Sequence, residues 1–96
     1  SLANELAGAA PARAHAVARH CADGTLTVSV RAPIEAPGGA HELCRRFGGA
    51  GRERAGGIDR MPADRFEAFV REFARMRWGT QAQAGARAVV TGGVPK

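Results

Sequence analysis

Three observations predict an α/β fold: a small mixed β-sheet of about four strands, opening with an N-terminal hairpin, packed against two or three helices. Apolar and polar residues alternate after Asp23-Gly24, a two-residue turn signal, which is the mark of a hairpin. An apolar stripe at helical spacing begins at Pro62. Between these lie a short helical pattern over 40–47 and a short extended one over 54–59, separated by glycines.

In chain order, residues 2–9 read as a short helix or a linker ahead of Pro11. Residues 14–31 form the hairpin. Leu26, Val28 and Val30 alternate with Thr25, Thr27, Ser29 and Arg31, and Asp23-Gly24 reads as a two-residue turn. On the first strand His15, Val17, Arg19 and Cys21 share one face, with small alanines on the other. Pro33, Pro37 and Gly38-Gly39 stop the second strand. Ala40, Leu43, Cys44 and Phe47 then follow an i, i+3, i+4, i+7 pattern, turning His41, Glu42, Arg45 and Arg46 outward. Gly48-Gly49 ends that helix. After the strand over 54–59, Pro62 opens a helix over 62–77. Ala63, Phe66, Phe69, Val70, Phe73 and Met76 are its apolar stripe, Asp64 favours its first turn, and Gly79 closes it. Residues 79–96 are mostly small and polar, with Ala86–Thr91 as an edge strand or part of a flexible tail.

Ninety-six residues make one domain, 1–96, with its core in 14–78. No apolar run approaches the roughly 20 residues that span a bilayer. Nor is there a secretory signal pattern, so a cytoplasmic protein with no membrane partner is expected. The Ser-Leu start, without Met, fits a piece whose N-terminal partner lies upstream. Net charge is +5, and thirteen of the fourteen basic residues are arginine. The planar guanidinium fork suits phosphate oxygens, although an Ala/Arg/Gly-rich composition also follows from GC-rich coding. Cys21 and Cys44 read as buried thiols rather than a disulfide.

The most informative stretch is Phe47-Gly48-Gly49-Ala50-Gly51-Arg52-Glu53-Arg54-Ala55-Gly56-Gly57-Ile58. It holds five of the thirteen glycines and two arginines, just after Arg45 and Arg46. Glycines gather where the backbone takes positive φ or comes close to something. The stretch is not a dinucleotide fingerprint, which needs a strand before it and a helix after it, and no Gly-Lys-Ser/Thr makes it a P-loop. A general phosphate nest is the functional reading: amides of Gly48, Gly49 and Gly51 point inward, and Arg52 supplies charge. The structural reading is a tight connection in which the glycines only let helix and strand pack.

The stretch resembles the Phe-Gly-Gly-Gly-Gly-His-x-x-Ala-Ala-Gly signature of the DHH-associated domain, the C-terminal, substrate-binding half of DHH (Asp-His-His) phosphoesterases. Val28-Ser29-Val30-Arg31 is similar to that family's upstream strand, and the helices on either side agree. The likeness covers roughly residues 14–78. It implies a domain that binds a nucleotide or single-stranded nucleic acid by its phosphate. Arg31, Gly48, Gly49, Gly51, Arg52 and Gly57 would line the cleft, and Arg54 would assist from the loop edge. Two positions depart from the pattern: Ala50 replaces a glycine and Arg52 a histidine. Arginine stays protonated, so binding carries over and proton transfer does not.

In that superfamily two divalent metals, typically manganese, sit in an N-terminal domain rich in aspartate and histidine. Asp23, Asp59 and Asp64 are scattered in this sequence, so no catalytic residue and no cofactor is expected here; the metal-bearing domain is the implied partner. His15, His20, Cys21, His41 and Cys44 invite a zinc reading, but Cys44 belongs to a core stripe and the spacing is loose. Trp78 either stacks on a base or anchors the tail to the core. Two rivals remain open. One is an RNA-binding domain similar to the C-terminal region of alanyl-tRNA synthetases; the other is an interaction module with solvated arginines.

Overall fold

The computed structural model describes residues 2–78 and the backbone of the strand over 86–91. Helix α1 (Leu2–Ala9) precedes the hairpin strands β1 (Ala14–His20) and β2 (Leu26–Arg31). Helix α2 (Ala40–Arg46), the short strand β3 (Ala50–Gly51) and strand β4 (Ala55–Met61) follow. A 3-10 turn (Ala63–Arg65) leads into α3 (Phe66–Arg75), and β5 (Ala86–Thr91) comes last. The five strands form one sheet in the order β3-β4-β2-β1-β5. Neighbours are antiparallel except β1 and β5, which run parallel, so the sheet is mixed.

The hairpin register pairs His20 with Leu26 and His15 with Arg31. Its connection is one residue longer than the two-residue turn expected from Asp23-Gly24. Cys21 N–H donates to the Thr25 carbonyl (2.9 Å) and Gly24 N–H to the Cys21 carbonyl (3.1 Å), leaving a three-residue loop. Gly24 takes φ +88, the left-handed position that such loops place third. Asp23 accepts bonds from the Thr25 amide (3.0 Å) and hydroxyl (2.6 Å), which hold its carboxyl below the usual carboxylate range.

Alternation along β1 and β2 gives the sheet two unlike faces. The inner face carries Ala14, Ala16 and Ala18 with Leu26, Val28, Val30 and Ile58, all buried. Leu43 and Cys44 of α2 and Phe69 and Phe73 of α3 complete this core. Phe47 meets Phe69 edge-on at 5.4 Å, and Phe73 meets Trp78 at 5.7 Å. Burying two such phenylalanines contributes about 3–6 kcal/mol before entropy.

The helix expected over 62–77 is shorter, and its end is tertiary in origin. Met76 turns extended (φ −62, ψ 141), so Met76 and Trp78 can both enter the core beside Gly39. Trp78 is therefore an anchor, 1% exposed. Gly79, expected to close the helix, lies outside the described residues.

The outer face carries Val17 and Arg19 on β1, Thr27, Ser29 and Arg31 on β2, and Gly57 and Asp59 on β4. Helix α1 covers only the Arg31 end of it. There it buries His15, whose Nε2–H donates to the Ala10 carbonyl oxygen (3.3 Å). At the opposite end β4 bulges: Leu26 pairs with Met61 but Val28 with Ile58, so Asp59 and Arg60 both stand opposite Thr27. Arg60 absorbs the extra residue at φ 56.

Candidate nucleotide-phosphate site

The glycine-rich stretch folds as a helix cap followed by a tight hairpin. Gly48, at φ +82, donates its N–H to the Arg45 carbonyl (3.2 Å), and Gly49 donates to the Cys44 carbonyl (2.8 Å). This is the Schellman closure of α2. Beyond it Ala50 pairs with Gly57 and Gly51 with Gly56, and Arg52 N–H donates to the Ala55 carbonyl (2.7 Å). Antiparallel ladders alternate bonded and non-bonded pairs, so only the Gly51 amide faces the free edge of β3.

The nest expected of Gly48, Gly49 and Gly51 is thus corrected: two of its three amides close the helix, and one amide alone cannot cradle a phosphate. Packing requires several of these glycines. A Cβ on Gly49 would meet the Gly57 carbonyl oxygen, and one on Gly51 the Gly56 Cα. A Cβ on Gly56 would sit 2.8 Å from the Cys44 sulfur. Gly57 is different: a Cβ there meets only the Val28 carbonyl oxygen at 3.5 Å, an ordinary contact, and its φ is not positive.

The tip of the hairpin is fixed through its carbonyls. Ala32 N–H donates to the Arg54 carbonyl (2.8 Å), and Ala40 N–H, at the start of α2, to the Glu53 carbonyl (3.1 Å). The backbone is held while the side chains of Arg52 and Arg54 stay exposed. Among the described residues neither guanidinium has a hydrogen-bond or ion-pair partner.

Two cavities line up along the outer face. One, of about 320 Å³, lies where α1 meets the sheet, with Asn4, Arg31, Pro33, Ile34 and Arg54 on its walls. Arg31 Nε–H donates to Asn4 Oδ1 (3.0 Å) and its Nη1–H to the Val30 carbonyl (3.1 Å), which orients the guanidinium. The second, of about 400 Å³, is a shallow trough whose floor is Gly57. Thr27 and Ser29 border it on one side, Gly49 and Ala50 on the other, and Asp59 at the end. Arg31, Ser29 and Thr27 succeed one another at about 6.8 Å along β2, so the cavities adjoin.

Of the seven residues singled out in the sequence, the fold brings Arg31 and Arg54 together at one cavity, and Gly48, Gly49 and Gly57 at the other. Gly51 lies in β3, and Arg52 lines neither cavity. Sequence reasoning passed over Asn4, Thr27, Ser29 and Asp59. The polar half of β2 was visible in its alternation; the contribution of Asn4 was not, since nothing local tells a linker from a helix that folds back on the sheet.

Two other arginines near this stretch are engaged. Arg46 bridges Glu42 (2.9 Å) and Glu72 (2.6 Å), and Arg65 lies 5.1 Å over the Phe47 ring. The residues weighed for zinc are dispersed. Cys44 is in the core, where burial pushes its thiol up to about 11 against a weaker pull from Arg31. His15 lies under α1, and Cys21 shares a contact with Thr27 (3.3 Å). Among the described residues no three His, Cys, Asp or Glu side chains gather, so this set does not fit a two-metal centre. No helix among them is long and apolar enough to cross a membrane.

Comparison with protein families, with curated proteins and with solved structures finds no match to this chain.

Proposed function

We propose that the chain is a binding module for phosphate-bearing ligands, a nucleotide or short single-stranded nucleic acid. In this reading it is the substrate-holding half of a cytoplasmic DHH-type phosphoesterase whose metal-bearing half lies elsewhere. The observation that carries it is that Arg31 and Arg54 line one cavity, with the Arg54 guanidinium free of any partner among the described residues. Two arginines on the wall of one space suit the oxygens of a phosphate. Holding Arg31 through Asn4 lowers the entropy lost when a ligand binds.

The phosphate is held by guanidiniums, with the hairpin serving as a rigid mount for Arg54. Gly57 keeps the adjoining strip bare so that the rest of the ligand can lie along the sheet. Hydrolysis would need the metal-bearing partner, because among the described residues the carboxylates do not converge.

Calorimetric titration of the chain with inorganic pyrophosphate and with a 5′-phosphorylated trinucleotide tests this reading. Arg31→Ala and Arg54→Ala should each weaken both ligands about tenfold or more, as expected for a charge-assisted bond worth about 1.5–3 kcal/mol. Each removed contact should also flatten the salt dependence by about 0.7. Arg52→Ala should do less. Unchanged affinity in both variants removes the site. Preference for folded transfer RNA favours the synthetase-like rival, and absence of all binding favours an interaction module.

A further inference from the structure

We infer that the trough over Gly57 is a base subsite that selects guanine through the Asp59 carboxylate; this rests on the phosphate reading just given. Gly57 is the starting point. Its φ is not positive and a Cβ there would make only an ordinary contact, with the Val28 carbonyl oxygen at 3.5 Å, so packing within the protein does not require it to be bare. The space it leaves has a flat floor and no large side chain on its rim among Thr27, Ser29 and Ala50.

Asp59 closes the far end of that floor. It lies two residues beyond Gly57 on the same face, at the bulge, where β4 presents an extra residue opposite Thr27. Among the described residues its carboxylate has no hydrogen-bond or ion-pair partner. An ionised carboxylate only accepts hydrogen bonds, and it accepts two side by side. Guanine alone among the common bases offers two adjacent donors, N1–H and the 2-amino group. Adenine and cytosine set an amino group beside an acceptor, and uracil sets one N–H between two carbonyls. The hydroxyls of Ser29 and Thr27 add donors for the remaining guanine oxygen and nitrogen acceptors.

The spacing fits the same ligand. Arg31 and Thr27 lie about 14 Å apart along β2. Once the two side chains and their hydrogen bonds are counted, that separation is on the scale of one nucleotide from phosphate to base edge.

The experiment compares guanosine 5′-monophosphate, adenosine 5′-monophosphate and inorganic pyrophosphate on the wild-type chain, Asp59→Ala and Gly57→Val, by calorimetry. The wild type should favour the guanine nucleotide by roughly 10- to 100-fold, the range of one good bidentate contact. Asp59→Ala should bring that ratio to near one; the ratio is read because loss of a negative charge strengthens every anion. Gly57→Val should weaken the guanine nucleotide about tenfold while leaving pyrophosphate as in the wild type. Equal binding of the two nucleotides to the wild type, or a preference that survives Asp59→Ala, overturns guanine selection and leaves the phosphate site standing. Binding of none of the three overturns the phosphate site and, with it, this inference.

Discussion

Gly56 and Gly57 are neighbours on β4, yet a methyl group on the first would lie 2.8 Å from the Cys44 sulfur and one on the second 3.5 Å from the nearest carbonyl. The difference is the side of the sheet each faces. Gly56, opposite Val30, turns towards α2, where helix and sheet come so close that a side chain does not fit. Gly57, opposite Ser29, turns to the open face. A glycine-rich stretch thus serves two purposes that its composition cannot separate. On the inner side it permits packing, and on the outer side it keeps a surface bare.

Variants on each side sharpen that contrast. Phe69→Ala, in the middle of the inner core, should cost about 3–5 kcal/mol, read from urea unfolding. Gly49→Ala should cost about 2–3 kcal/mol in the same assay, because the Gly57 carbonyl must move to admit the methyl group. Arg54→Ala belongs to the outer side: pyrophosphate affinity should fall about tenfold while the unfolding midpoint stays put. Gly57→Ala should change stability by less than about 0.5 kcal/mol; a cost like that of Gly49→Ala would erase the distinction between the two sides.

A pH series probes the inner side independently. Burial raises the Cys44 thiol from 9.0 to about 11. The unfolded chain releases this proton near pH 9, whereas the folded chain keeps it to about pH 11. The Cys44 contribution to stability should therefore be level below pH 9 and fall as pH rises between these values. Cys44→Ala should shift the whole curve down and remove this contribution to its slope.

Much of the architecture was legible because alternation and helical stripes are local. Leu26, Val28 and Val30 marked β2 and the Phe66-to-Phe73 stripe marked α3, whereas Ala86–Thr91, open between an edge strand and a flexible tail, forms β5. The hairpin loop was read one residue short, because Asp-Gly serves both two- and three-residue loops, and the Cys21–Thr25 pairing decides between them. The early end of α3 escaped notice because it depends on Met76 and Trp78 finding the core. At the candidate site, the resemblance grouped Arg31 with Arg52 and Arg54, and the fold sorts them: Arg31 and Arg54 line one cavity and Arg52 lines neither. Arg31 and Arg54 are far apart in sequence, and they come to one cavity because β4 pairs with β2 and Ala32 binds the Arg54 carbonyl.

The sequence by itself determined the strands and helices, the apolar side of the sheet and the accumulation of glycine and arginine after α2, since each follows from periodicity or composition over a few neighbouring residues. Only the tertiary structure decided which glycines are obligatory and which amides are already bonded. It also decided which arginines line one cavity. Those outcomes depend on strand register and on the distance between layers, which arise from contacts between residues remote along the chain.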